Sequence, residues 1–164
     1  MTGPSIRYDV TRRGVTVKLR SIDIPQADSL ALIREVVAAV AKYDNPTVKM
    51  LSEETAFHER HVRYRLDAAR ALGLIVAKEK GTALAAKGLR LLATATGSED
   101  ERRALRRAVS SCPVVRAVAP DLLSRATVDL DDLTSRIVGV SDLSPATAAR
   151  RAVALRAWHR DLVK

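Results

Sequence analysis

The pattern of apolar and polar positions divides the chain into elements. Between Ser5 and Ile24 the apolar residues alternate imperfectly: Ile6, Tyr8 and Val10, then Val15, Val17 and Leu19, with Arg12-Arg13-Gly14 between them. A period near two marks half-buried strands, so this stretch predicts a β-hairpin or a pair of short strands with a basic turn. Residues 25–29 end it. Leu32, Val36, Val37 and Val40 then share one side of a helix that Asp28 or Ser29 can cap and that runs to about Tyr43. Asp44-Asn45-Pro46 breaks it, and Thr47 opens a shorter helix to about Glu54. After a turn at Thr55-Ala56-Phe57, a longer helix from His58 to Leu72 places Val62, Leu66, Ala69 and Leu72 on one side, and Gly73 stops it. Residues 74–77 read as a short strand, Lys78-Glu79-Lys80-Gly81 as a charged turn, and residues 82–84 as the return strand. A helix from Ala85 carries Leu89, Leu91 and Leu92.

The second half is helical throughout. Glu99–Ser110 forms a charged helix with acids first and Arg102, Arg103, Arg106 and Arg107 after, an order that suits the helix dipole. Pro113 and Pro120 bracket a short helical piece. Leu130, Leu133 and Ile137 mark another helix, with Gly139 as its stop. Ser144-Pro145 then opens a last helix running nearly to Lys164, with a preferred N-cap followed by a preferred first residue. A shift of 86 residues pairs Leu51 with Ile137, Phe57 with Leu143, Val62 with Ala148, Arg65 with Arg151 and Arg70 with Arg156. The helix, turn and long helix of the first half therefore recur. Two readings of the repeat stay open: a second helix-turn-helix, with the N-terminal hairpin docked as a substitute wing, or a terminal helix that completes the core through Trp158 and Leu162.

The order helix, helix, helix, strand, charged turn, strand, helix, together with residues 62–75 (VRYRLDAARALGLI), resembles the winged helix-turn-helix superfamily of DNA-binding proteins. Leu84-Ala85-Ala86-Lys87-Gly88 is similar to the segment that follows the wing in many of them, with Ala85 standing where a capping hydroxyl would be. The likeness covers residues 28–96. Residues 143–151 (LSPATAARR), with Trp158, look like helical DNA-binding regions of bacterial restriction and defence proteins. That second likeness implies DNA recognition and does not imply nuclease activity.

Composition sharpens this picture. The chain has 164 residues and a formal net charge of +9, with only one Phe, one Trp and three Tyr. Few aromatics favour packed helices over a β-sandwich. The excess of positive charge points to a polyanionic partner, a nucleic acid or an anionic membrane surface. Arg outnumbers Lys 21 to 7, which a GC-rich genome explains as well as a need for bidentate phosphate and guanine contacts does. Cys112 is the single cysteine, so no internal disulfide or thiolate zinc cluster is available. The expected compartment is the cytoplasm, because no stretch approaches 18 apolar residues and residues 1–5 lack a leader's apolar core.

Taking Val62, Leu66 and Ala69 as buried puts Arg60, Arg63, Tyr64, Asp67 and Ala71 on the opposite face of the 58–72 helix. The first turns of a recognition helix enter the major groove, which selects Arg60, His61, Arg63, Tyr64 and Arg65. On the final helix the matching face offers Thr147, Arg150 and Arg151. Lys78 and Lys80 at the wing tip, and Arg12, Arg13, Lys18 and Arg20 in the N-terminal arm, suit phosphate or minor-groove contact. His58 and His61 are spaced to share a metal, but no third ligand lies near, and an N-cap explains His58 better. No GxxxxGK[ST] or GxGxxG element occurs, and the adjacent acids Glu53-Glu54 and Asp131-Asp132 diverge on a helix. Membrane binding would need bulky apolar residues opposite a basic face, and the last helix offers mostly Ala.

The expectation is a mainly α protein with small β elements: an arm at 1–27, a winged helix-turn-helix at 28–96 and a helical domain at 97–164. It would bind double-stranded DNA without catalysis or cofactor, as a homodimer or within a larger complex. Its role would be transcriptional regulation or DNA recognition in a defence or replication assembly. The rival expectation is a winged-helix scaffold that binds protein.

Overall fold

The computed structural model describes residues 18–163. The described chain is mainly helical with one small antiparallel sheet. Its elements are α1 (Leu30–Val40), α2 (Val48–Thr55), α3 (Glu59–Ala71), β1 (Ile75–Lys78), β2 (Gly81–Leu84), α4 (Ala86–Leu92), α5 (Glu99–Ser110), α6 (Pro113–Val118), α7 (Leu130–Val140) and α8 (Pro145–Leu162).

Local chemistry explains most of the starts. The side chains of Ser29, Thr47, Ser98, Asp129 and Ser144 each accept a backbone N–H from the first turn of the helix they precede. Each such cap is worth roughly 1 kcal/mol. His58 caps α3 through Nδ1, which accepts the Arg60 N–H at 3.2 Å. Gly73 ends that helix with φ +70°, a left-handed turn that an L side chain resists. β1 and β2 pair Ile75 with Leu84 and Lys78 with Gly81, leaving Glu79 and Lys80 at the tip. A Cβ on Gly81 would stand 2.3 Å from the Asn45 carbonyl oxygen, so the hairpin packs backbone to backbone on the turn between α1 and α2.

One continuous apolar cluster runs from Leu19 and Ile24 through α1, α2 and α3 to α5, α6, α7 and α8. Val62, Ala69 and Leu72 are buried in it, as the helical spacing predicts. Trp158 is fully buried, and its Nε1–H donates to the Ala27 carbonyl at 3.0 Å. That bond ties the last helix to the segment leading into the first, 131 residues away. Arg34 and Glu101 form a mostly covered ion contact at 2.6 Å between α1 and α5.

Three boundaries differ from the sequence expectation. α1 ends at Val40, with turns carrying the chain to Tyr43. Gly139 does not stop α7, which runs one residue past it to Val140; it is exposed and lacks the positive φ with which Gly73 ends α3. Of the expected strand pair, most lies outside the described residues. The described part makes a parallel bridge between Leu19 and Ser141, with the Leu19 N–H bonded to the Val140 carbonyl, and then a short 3-10 turn at Ser21–Asp23.

Candidate nucleic-acid interface

The turn before α3 is built from hydroxyls. Thr55 Oγ1 donates to the Leu51 carbonyl at 2.7 Å and accepts the Phe57 N–H at 3.3 Å. Between them Ala56 takes a left-handed conformation, φ +58°. Leu51 and Val62 are buried, holding the end of α2 and the start of α3 in the core. The first turns of α3 therefore project one side outward.

On that side Arg60, His61 and Arg63 are exposed. Arg60 Nε–H donates to the Tyr64 hydroxyl at 2.6 Å, with its guanidinium 5.5 Å from the Tyr64 ring centre. Arg63 pairs with Glu59 at 3.0 Å, one turn back. Both arginines are thus presented in defined orientations by short-range partners that solvent and salt compete with. Lys78 and Lys80 are exposed at the hairpin.

Other expected contacts are placed differently. Arg65 lies half-buried with its guanidinium 4.1 Å from the Phe57 ring centre, and burial pushes its pKa down. Tyr64 and Asp67, expected on the solvated face, are half-covered by residues 21–26 and by Arg151. Burial pushes the Asp67 carboxyl up, against the pull of Arg70 and Arg151. Arg151 itself is 8% exposed and donates to the Ser21 hydroxyl at 2.9 Å. It does not join the exposed set, because the segment after Leu19 packs over it. Thr147 is half-buried and bonded to the Ser144 hydroxyl, while Arg150 is exposed. Arg12 and Arg13 lie outside the described residues.

The 86-residue repeat is also a repeat of hydrogen bonds, which the sequence comparison by itself did not reveal. Ser141, the counterpart of Thr55, donates to the Ile137 carbonyl at 2.6 Å and accepts the Leu143 N–H at 3.3 Å. Ser144, the counterpart of His58, caps α8. Leu51, Val62 and Ala69 correspond to Ile137, Ala148 and Leu155, all buried. Hydroxyl residues at 55 and 141 were the available signal, two positions before the aligned Phe57 and Leu143.

Among the described residues no three His, Cys, Asp or Glu side chains converge as a metal site would require. Cys112 is buried, and burial pushes its thiol pKa up, which disfavours the thiolate. No described helix is long and apolar enough to cross a membrane. No protein-family model, curated protein or solved structure matches the chain.

Proposed function

We propose that this protein binds double-stranded DNA through a winged helix-turn-helix, with α2 and α3 as the helix pair and β1–β2 as the wing. The observation that carries the reading is the exposed group Arg60, His61 and Arg63 on the first turns of α3, in a chain of net charge +9. A helix presenting Arg from its first turns suits the major groove, where guanidinium meets guanine O6 and N7. Lys78 and Lys80 at the hairpin suit flanking phosphates. α7 and α8, with Arg150 exposed, would form a second helix-turn-helix, letting one chain meet two parts of a site. The role would be that of a transcriptional regulator or the recognition part of a defence or replication assembly, and a homodimer or larger complex would extend the contact.

Fluorescence anisotropy on random duplex DNA from low to near-physiological salt tests this. Each neutralised phosphate contributes about −0.9 to the log–log slope, so saturable binding with a slope of about −4 or steeper supports the reading. Absence of binding at low salt overturns it. Reversing the charge of Arg60, Arg63 and Arg150 then separates DNA binder from protein scaffold: the first loses its ligand, the second still assembles.

A further inference from the structure

Positive charge is unevenly neutralised in this protein. Lys42, Arg70, Arg103, Arg125 and Arg136 each have a carboxylate within ion-pair distance. Where α4, α5 and α6 meet, the cations have none among the described residues. Arg106, Arg107 and Arg116 line an open concavity of about 390 Å³ with Ser110 and Ser111. Lys87 adjoins it, its Nζ donating to the Ser111 hydroxyl at 2.9 Å. Ser111 donates in turn to the Arg107 carbonyl at 2.9 Å, so one hydroxyl links α4 to the end of α5.

Helix dipoles account for part of this arrangement. Arg107 and Arg116 lie in the last turns of α5 and α6, where a cation is favoured. Lys87 lies in the first turn of α4, where the dipole opposes it. Three helices thus bring cations around two hydroxyls with no carboxylate lining the concavity. Phosphate oxygens meet such a surface well, accepting from guanidinium forks.

This corner lies away from the first turns of α3. The Lys87 side chain packs on Gly73, its Cδ 3.4 Å from where a Cβ would stand, at the far end of α3 from Arg60. At about 1.5 Å per residue those ends are ~20 Å apart along the helix. We propose that the α4–α5–α6 corner binds the phosphate backbone of duplex DNA, at phosphates other than those met by the first turns of α3. The proposal rests on the DNA reading only for the identity of the polyanion.

The test compares two charge-matched triple variants on one duplex across salt. One carries Lys87→Ala, Arg107→Ala and Arg116→Ala, all exposed positions. The other carries Lys42→Ala, Arg103→Ala and Arg136→Ala, at cations already paired with carboxylates. Circular dichroism melts confirm that both fold. The corner variant should bind with a slope shallower by about 2.7, three phosphates at 0.9 each, while the control keeps the wild-type slope. Equal slopes for the two variants overturn the proposal, whether both fall or neither does. A parallel Arg60→Ala/Arg63→Ala variant keeps the failures apart. If it binds like wild type while the corner variant weakens, the α3 reading falls and the corner stands; the reverse result removes the corner alone. No binding by the wild type removes both.

Discussion

The segments around α2–α3 and α7–α8 are built to one plan and present different surfaces. In each, a hydroxyl four residues after a buried Leu or Ile bonds back to that residue's carbonyl and forward to the N–H two residues on. The face that follows diverges. Arg60, His61, Arg63 and Tyr64 on α3 stand opposite Ala146, Thr147, Ala149 and Arg150 on α8 in the same register. Arg65 half-covers Phe57, whereas its counterpart Arg151 is buried under residue 21. α3 ends at a glycine and gives way to a hairpin; α8 runs on to pack Trp158 and Leu162 into the core. A shared scaffold therefore fixes how a helix starts, and says little about what its outer face meets. The α7–α8 copy has been turned chiefly toward stability, and α3 toward solvent.

The largest expected effect separates the two copies at their ends. Trp158→Ala should cost about 3–5 kcal/mol, since it empties a buried site and leaves the Ala27 carbonyl without its donor. Urea unfolding at constant m-value would measure it, and a cost below that of Leu72→Ala would break the assignment of α8 to the core. On the surface the ranking reverses. Arg60→Ala or Arg63→Ala should weaken binding to a preferred DNA site by ~1–3 kcal/mol and relax base preference. Arg150→Ala should lower the salt slope by about 0.9 with preference unchanged. Equal loss of preference from both helices, in a competition assay with mutated sites, would erase the distinction.

Acid sharpens the comparison further. Hydrogen bonds hold three carboxyls below the usual carboxylate range: Lys42 and Tyr43 on Glu54 in α2, Arg125 on Asp121, and Arg136 with Arg125 on Asp132 in α7. A depressed folded-state pKa stabilises above the unfolded value of about 4 and is lost as pH falls through the folded one. Melting temperature should therefore drop below about pH 4 in the wild type. The drop should be shallower in Arg125→Ala, whose neutral-pH stability is already reduced. Lys42→Ala should do the same for the α2 side, and parallel wild-type and variant curves would refute the linkage. Smallest of all, Ala56→Gly should stabilise by a few tenths to about 1 kcal/mol by relieving a left-handed alanine. Asp142→Gly, at the matching turn position where no positive φ occurs, should not stabilise in a thermal melt.

Much of the fold was legible because its signals are local. Ser29, Thr47 and Ser144 cap where the sequence expects helices to start, and Gly73 stops α3 for the steric reason that favours glycine there. The hairpin at 75–84 followed from two short apolar runs around a charged turn. Gly139 misled, because a glycine ends a helix where it takes a left-handed conformation, and Gly139 does not take one. The candidate face of α3 was legible in part. Period placed Arg60 and Arg63 outside and Val62 inside, but it also placed Tyr64 and Asp67 in solvent, where residues 21–26 and Arg151 half-cover them.

Sequence by itself thus determined the order of elements, the caps and turns that bound most of them, the buried side of α3 and the excess of positive charge. These depend on neighbours within a few positions, or on simple sums. Tertiary structure alone decided which outward residues stay outward, that Arg151 is enclosed, and that Lys87, Arg107 and Arg116 from three helices share one corner without a carboxylate. Those outcomes come from segments up to 130 residues apart in the chain, and no local period carries information about them.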